Sequence, residues 1–324
     1  MADKQYAYSE IFHSVQGEGK YTGVPSGWLR FFLCNLQCNG FMQKDPTDES
    51  TYKLPYKEVA KELKENPDKY PTMEDLPVFE YGCDSSYSWF AGFKKLQRRG
   101  TAAEIANRIK DSMKTESNPE GYFAHPSGLV QHMCFTGGEP LMPHAQQATV
   151  EILKEFRNQP GGPVAGMTFS LRGSNYGSNM PKSVTFETNG TQPLSSDFID
   201  YFENRGNFDE ELFFSVSPKL FTVSGETKDK AIKPNVLKTY RMLSKHGQLK
   251  FVMGNEPRQW EEMEDVLSDL RYAGIDWPVY IMPVGALAEQ QENLAGEVAQ
   301  MAFQRGYNVS ARMHCYLWGN LIGV

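Results

Sequence analysis

Along the 324-residue chain, short β-rich runs of apolar residues alternate with stretches of helical spacing. "GWLRFFLC" (27–34) reads as the first strand, and "GLVQHMCFTGGEP" (128–140) as a strand running into a glycine turn. Further strands are expected at "SVTFETNG" (183–190), "LFFSVSPK" (212–219), "GQLKFVMG" (247–254) and "PVYIMPVG" (278–285). Ala, Ile and Ile at helical spacing mark "TAAEIANRIKDSM" (101–113), and "QQATVEILKEFRN" (146–158) is a second helix, with others near 257–273 and 287–305. Strands separated by helices point to a parallel sheet. Six such strands fit an α/β architecture, a partial (β/α)6 barrel, with a doubly wound open sheet as the competing topology. In either case ligands collect at the C-terminal strand ends. Those ends carry Cys34, "TGGEP", "ETNG", "SPK" and "MPVG". Five polar or glycine-rich endings on one rim mark a site.

Residues 39–82 break this rhythm. They hold five of the 19 prolines, a helical stretch "YKEVAKELKEN" (56–66), and six lysines against ten carboxylates, a net of −4. The segment reads as an acidic insertion with a solvated surface, outside the barrel core of one domain spanning 1–324. A second loop, "LRGSNYGSNMPK" (171–182), is rich in Gly, Ser and Asn and is expected to be a mobile connection.

Composition narrows the classes. Forty per cent hydrophobic and 23% charged residues are ordinary for a soluble protein with a sizeable core. No apolar run reaches membrane-spanning length, and "MADKQYAYSE" lacks the apolar region of a signal peptide. Five irregularly spaced cysteines suggest no disulfide framework, so a reducing cytoplasm is the expected setting. A net charge of −7 argues against a nucleic-acid partner. The longest basic block, "LQRRG" (Leu96–Gly100), reads as a solvated helix end.

Cys34 and Cys38, in "CNLQC", suit neither a zinc knuckle nor a redox C-x-x-C. They could be core cysteines, but an iron–sulfur loop is more natural, because such centres are held by clustered thiolates. A third ligand has three candidates, Cys83, Cys134 and Cys315. Cys134 lies inside a strand, where packing is its natural role, and Cys315 has apolar neighbours in "MHCYLWGN". Cys83 opens the polar, turn-prone "CDSSYSW" and returns beside Cys38 if the insertion loops out. Closing so long a loop costs little more than closing a short one. Three thiolates leave one iron of a four-iron cluster open to bind a small molecule.

"EIFHSVQGEGKYTGVPSGWLRFFLCNLQC" resembles the opening of the 7-carboxy-7-deazaguanine synthase (QueE-like) family of radical S-adenosylmethionine enzymes. That family reads E-I-F-x-S-x-Q-G-E-G, G-x-P, an Arg-bearing strand, then C-N-L-x-C-x-x-C-D-T. "CDSSYSW" (83–89) is similar to its C-D-T-x-Y-S-W continuation. Two departures stand out: residues 39–82 replace two residues of the family, and Ser85 replaces threonine. "FTGGEPLM", "FETNGT", "SVSPK" and "SARMHCYLWGN" extend the similarity over essentially the whole chain outside the insertion.

The resemblance implies a radical-type partial barrel whose [4Fe-4S] cluster is held by Cys34, Cys38 and Cys83. It places S-adenosylmethionine against Gly82, Asp84, Gly138, Glu139, Glu187, Ser217, Pro218 and Lys219, with "MPVG" (282–285) lining the same pocket. It gives substrate contacts to Val15, Gln16, Gly17, Arg30, Thr136 and His314, and Mg²⁺ to the hydroxyl of Ser85. A guanidinium can clamp a carboxylate through parallel hydrogen bonds, although Arg30 could instead pair with a structural acid. His314 could equally be structural. The implied reaction converts 6-carboxy-5,6,7,8-tetrahydropterin into 7-carboxy-7-deazaguanine. It needs an external reductant such as flavodoxin, and the family forms homodimers. An enzyme of altered specificity, or a non-catalytic descendant binding a pterin or a protein, are the alternatives.

Overall fold

Period-two alternation along the strands decides this architecture, because it gives the sheet two unlike faces. The computed structural model describes residues 4–159, 161–164, 175–204 and 211–324. Its strands are β1 Tyr6–Val15, β2 Pro25–Phe31, β3 Arg98–Gly100, β4 His132–Gly137, β5 Gly161–Pro163, β6 Tyr176–Ser178, β7 Ser183–Thr188, β8 Glu211–Val216, β9 Gly247–Met253, β10 Val279–Pro283 and β11 Asn308–Val309. The helices are α1 Pro55–Glu65, α2 Ala102–Ser112, α3 Pro143–Asn158, α4 Ser196–Glu203, α5 Phe221–Ser224, α6 Lys228–Ala231, α7 Pro234–Leu243, α8 Pro257–Tyr272, α9 Ala288–Gln304 and α10 Met313–Trp318.

The main sheet runs β11-β10-β9-β8-β7-β4-β2-β1-β3. From β2 to β11 every pair is parallel, while β1 is antiparallel to β2 and β3. The six expected strands are β2, β4, β7, β8, β9 and β10. The first strand of the chain is nevertheless β1, not β2. In "YAYSEIFHSV" a buried polar set (Ser9, Glu10, Ser14) obscures the apolar alternation.

One face of the sheet carries Phe31, Phe135, Phe186 and Phe214, stacked or tilted with centroids 6.1, 5.3 and 5.9 Å apart. Phe186 meets Phe198 of α4 and Phe214 meets Tyr240 of α7, so this face buries against helices. Each such side chain contributes about 1.5–3 kcal/mol on burial. Helix starts are set locally. Thr101 and Glu104 form a reciprocal capping box at α2. Pro143, Pro234 and Pro257 occupy the first turn of α3, α7 and α8.

The opposite face is polar. Arg30 lies beside Thr136 on β4, and Ser215 pairs with both Glu187 and Gln248. A doubly wound sheet would need apolar residues on both faces. Here the polar face is concave, and the β1–β2 turn folds across it. The Gln16 amide donates to Glu187 at 2.9 Å, the Lys20 N–H to Gln248 at 2.9 Å, and the Gly19 N–H to Ser310 at 2.6 Å. Gly19 has φ +71°, and a Cβ there would strike the Gln248 amide. This turn plugs the N-terminal ends of the strands, leaving the C-terminal rim open. The protein is a partial barrel.

Three expectations change. The 39–82 segment buries a cluster of its own: Tyr56, Ala60, Leu63, Met73, Leu76 and Phe79, with Phe32, Tyr87 and Phe93. Its acidic composition describes only its outer surface. "LQRRG" is not a helix end: a short 3-10 turn (Ala91–Leu96) leads into β3, which pairs with β1 at the sheet edge. Of the 171–182 loop, residues 171–174 lie outside the described residues. Tyr176–Ser178 is a strand paired with β5. Among the described residues, no helix is long and apolar enough to cross a membrane.

Candidate functional site

After β2 the chain enters a loop with unusual backbone. Leu33 (φ +92°), Cys38 (φ +51°) and Met42 (φ +57°) occupy the left-handed region, which disfavours side chains larger than glycine. The loop is held in place by Glu226, whose carboxylate accepts from the N–H groups of Gln37 (2.6 Å) and Cys38 (2.8 Å). The chain then departs at Phe41 and returns at Gly82, where the Gly82 N–H donates to the Phe41 carbonyl at 2.8 Å. The 39–82 excursion is therefore closed at its base. Its return brings Cys83 to an apolar contact group with Cys34, Leu36, Cys38 and Phe41.

Cys34, Cys38 and Cys83 line one cavity of about 280 Å³. Burial, and then the Glu139 charge, pushes the Cys34 thiol up to about 12. Burial also raises the thiols of Cys38 and Cys83, with the Lys219 ammonium opposing. Thiols so placed stay protonated until a metal displaces the proton. Among the described residues, no three His, Cys, Asp or Glu side chains converge on a point for a single ion. A four-iron cluster makes a different demand, since each cysteine binds its own iron. The other cysteines are elsewhere: Cys134 is buried with Phe12 and Trp28, and Cys315 is buried in α10.

Most of the remaining candidates converge on this cavity. Val15, Gln16, Gly17, Arg30, Gly82, Asp84, Ser85, Thr136, Gly138, Glu187, Ser217, Lys219 and His314 all line it. Glu139 does not. Fully buried, it accepts from Thr188 Oγ1 (2.7 Å) and the N–H groups of Asn189 (2.8 Å) and Leu141 (2.9 Å), joining the "TGGEP" and "ETNG" turns. Burial raises its carboxyl to about 7 against those donors. Pro218 is likewise absent from the lining, between Ser217 and Lys219, whose ammonium donates to Ser217 Oγ at 2.9 Å. Gly138 makes room: a Cβ there would sit 2.8 Å from the Cβ of Cys34.

Arg30 has a structural partner. Its Nε donates to the buried Glu10 at 2.5 Å, and Tyr87 donates to the same carboxylate at 2.8 Å. Its Nη1 makes only long contacts, 3.3 Å each, to Ser85 Oγ and the Gly137 carbonyl. The salt bridge to an acid is thus present, and the guanidinium edge still borders the cavity.

Four charged residues here have no counterpart among the sequence-derived candidates: Glu10, Glu18, Lys250 and Arg312. Lys250 is 3% exposed and pairs with Glu187 (2.7 Å) and with Glu18. Burial opposes its charge, but the two carboxylates outweigh burial and raise its pKa. Arg312 binds Glu18 (3.1 Å), Asp84 (2.6 Å) and the Gly285 carbonyl (2.7 Å). Burial pushes the Asp84 carboxyl up, yet Arg312 and Arg30 hold it at about 2. Burial, and then Arg312, lowers His314 to about 4, so its imidazole is neutral at ordinary pH. The signal for Lys250 was the alternation in "QLKF", which sets Gln248 and Lys250 on the polar face. Arg312 and Glu18 meet only through tertiary structure, 294 residues apart.

A largely parallel half-barrel with three thiols and a polar floor at its open rim defines the class. No family model matches the chain. Over nearly its full length the chain is a distant homologue of 7-carboxy-7-deazaguanine synthases. It is 24% identical to that of Halobacterium salinarum over 330 residues (96% of this chain, 90% of the relative). The corresponding figures for Rhodopirellula baltica are 23% over 327 residues (97% and 87%). The enzyme of Bacteroides thetaiotaomicron is 55% identical over 31 residues, 10% of this chain. The crystal structure of QueE from Escherichia coli aligns with 96% of this chain and 95% of its own, at 15% identity and a TM-score of 0.46.

Proposed function

We propose that this protein is a radical S-adenosylmethionine enzyme converting 6-carboxy-5,6,7,8-tetrahydropterin into 7-carboxy-7-deazaguanine. The observation that carries the reading is the return of Cys83 to Cys34 and Cys38 at one cavity that also holds a polar sheet floor. Three soft thiol donors lining one cavity fit a [4Fe-4S] cluster. Cys34, Cys38 and Cys83 would hold it, with S-adenosylmethionine against Gly82, Asp84, Gly138, Ser217 and Lys219. Bound there, the pair supplies the radical chemistry of the reaction.

The chain's own residues bind and orient. Arg30, steadied by Glu10 through Nε, keeps its weakly engaged Nη1 for the substrate carboxylate. Ser85 offers a hard oxygen for Mg²⁺ beside that carboxylate. Glu187, fixed by Gln16 and Lys250, offers its carboxyl oxygens to ring N–H groups. Thr136 and neutral His314 complete the polar surround. A buried network of this kind positions the reacting C–H bond without rearranging during the reaction. An external reductant such as flavodoxin, a homodimer and a cytoplasmic setting belong to the same proposal.

A second reading, altered specificity, is favoured by Met42 and Val78, which extend the cavity lining into the excursion. Anaerobic incubation of reconstituted protein with S-adenosylmethionine, reductant and the carboxytetrahydropterin separates the two. Mass detection of the deazapurine supports the first. Cleavage of S-adenosylmethionine without it supports the second.

A further inference from the structure

The cavity is built from two unlike surfaces. Its floor is the polar sheet face, with Arg30, Thr136, Glu187 and Lys250. The rest of the lining is largely apolar and is drawn from two segments far apart in sequence: Met42 and Val78, with Glu80, of the excursion, and Leu321, Ile322 and Val324, with Asn320, of the segment after α10. These segments touch each other. Ile322 packs against the apolar cluster of the excursion, and a Cβ on Gly323 would lie 2.9 Å from the Cγ of Glu74.

The path of residues 319–324 is specified by backbone that few residues adopt. Gly319, Asn320 and Gly323 all have positive φ (+64°, +61° and +88°). Asn320, next to the Gly319 cap of α10, is the non-glycine type that adopts this region most readily, so the turn is written into the sequence. Its amide reaches Asp84 at 3.5 Å, and Arg312, at the start of α10, binds the same carboxylate. The segment is thus held at one end by the Asn320 amide on Asp84 and at the other by Ile322 on the excursion.

We propose that the 39–82 excursion is a specificity-determining wall of the cavity: by seating Ile322 it holds residues 319–324 across the mouth. This deepens the functional reading above and rests on it for the identity of the substrate. A planar bicyclic ring with polar edges suits such a space, its edge groups meeting the floor and its face the apolar rim. Ile322 borders the cavity as well as packing on the excursion, and the exchange readout separates its seating of the segment from its own contact with substrate.

The test is Ile322→Asp, with Ile322→Ala as the milder variant should the first fold poorly. Hydrogen exchange is measured on the protein as purified, before reconstitution. Faster exchange is expected both in 319–324 and in 73–80 of the excursion, with β4 and β7 unchanged. In reconstituted enzyme the expected kinetic signature is a KM for the pterin raised about tenfold with kcat kept, the pattern of lost uniform binding. Exchange that changes in 319–324 alone, with KM unmoved, overturns the wall. The exchange result stands whether or not the wild-type protein contracts the pterin ring, so failure of the functional reading and failure of the wall are separable.

Discussion

The sheet and the 39–82 excursion both bury aromatic side chains, but by different means. In the sheet, strand pairing fixes each side chain, and the phenylalanine row from Phe31 to Phe214 follows from the register. In the excursion, an 11-residue helix presents Tyr56, Ala60 and Leu63 to Met73, Leu76 and Phe79 with no ladder beneath them. That second core is completed by Tyr87 and Phe93, from the chain just beyond Cys83, and by Phe32, just before Cys34. The excursion therefore does more than loop out. Its packing helps to set both sides of the cysteine loop.

Four substitutions probe this contrast. On the sheet side, Lys250→Met leaves Glu187 without its cation and Glu18 with Arg312 alone, and about 3–5 kcal/mol of global stability should be lost in urea unfolding. Phe186→Ala removes the centre of the aromatic row and should cost a similar amount, about 3–5 kcal/mol, with all probes moving together. Leu63→Ala, fully buried in the excursion, should cost about 2–5 kcal/mol. Its effect should appear as faster hydrogen exchange across 55–80, with β4 and β7 protected. If Leu63→Ala instead lowers the global midpoint as Phe186→Ala does, the two cores are one cooperative unit.

The smallest expected effect is on pH dependence. His314 has a folded pKa of about 4 against an ordinary value of 6.5, through burial and then Arg312. On acidification the unfolded chain takes up this proton first, so stability falls as pH drops from 6.5 toward 4. Unfolding of His314→Gln should show a shallower slope across that window. An unchanged slope would mean that the imidazole is not held neutral by its surroundings.

These two regions also differ in how far they were legible. The parallel strands, each with a glycine-rich or polar end, were readable because period-two alternation and turn residues are local signals. β1 was missed, since Glu10 and Ser14 serve the polar face and Ser9 sits at a register shift, so the apolar pattern is interrupted. In the excursion, lysines and carboxylates outnumber the buried residues, so composition reports its solvent side and hides Leu63 and Phe79. Most of the candidate residues on the rim line one cavity, and Glu139 lies behind it as a brace. Arg312, Glu18 and Glu10 were out of reach, because an ion pair between distant positions leaves no periodic trace.

The central claim is that Cys83, 45 positions after Cys38, completes a thiolate set across the excursion. Anaerobic reconstitution of wild-type, Cys83→Ala and Cys134→Ala proteins, read by iron and sulfide content and by the electron paramagnetic resonance of the reduced samples, tests it most directly. A full four-iron signature is expected in wild type and Cys134→Ala, and its loss in Cys83→Ala. A Cys83→Ala protein that holds a complete cluster and cleaves S-adenosylmethionine would contradict it.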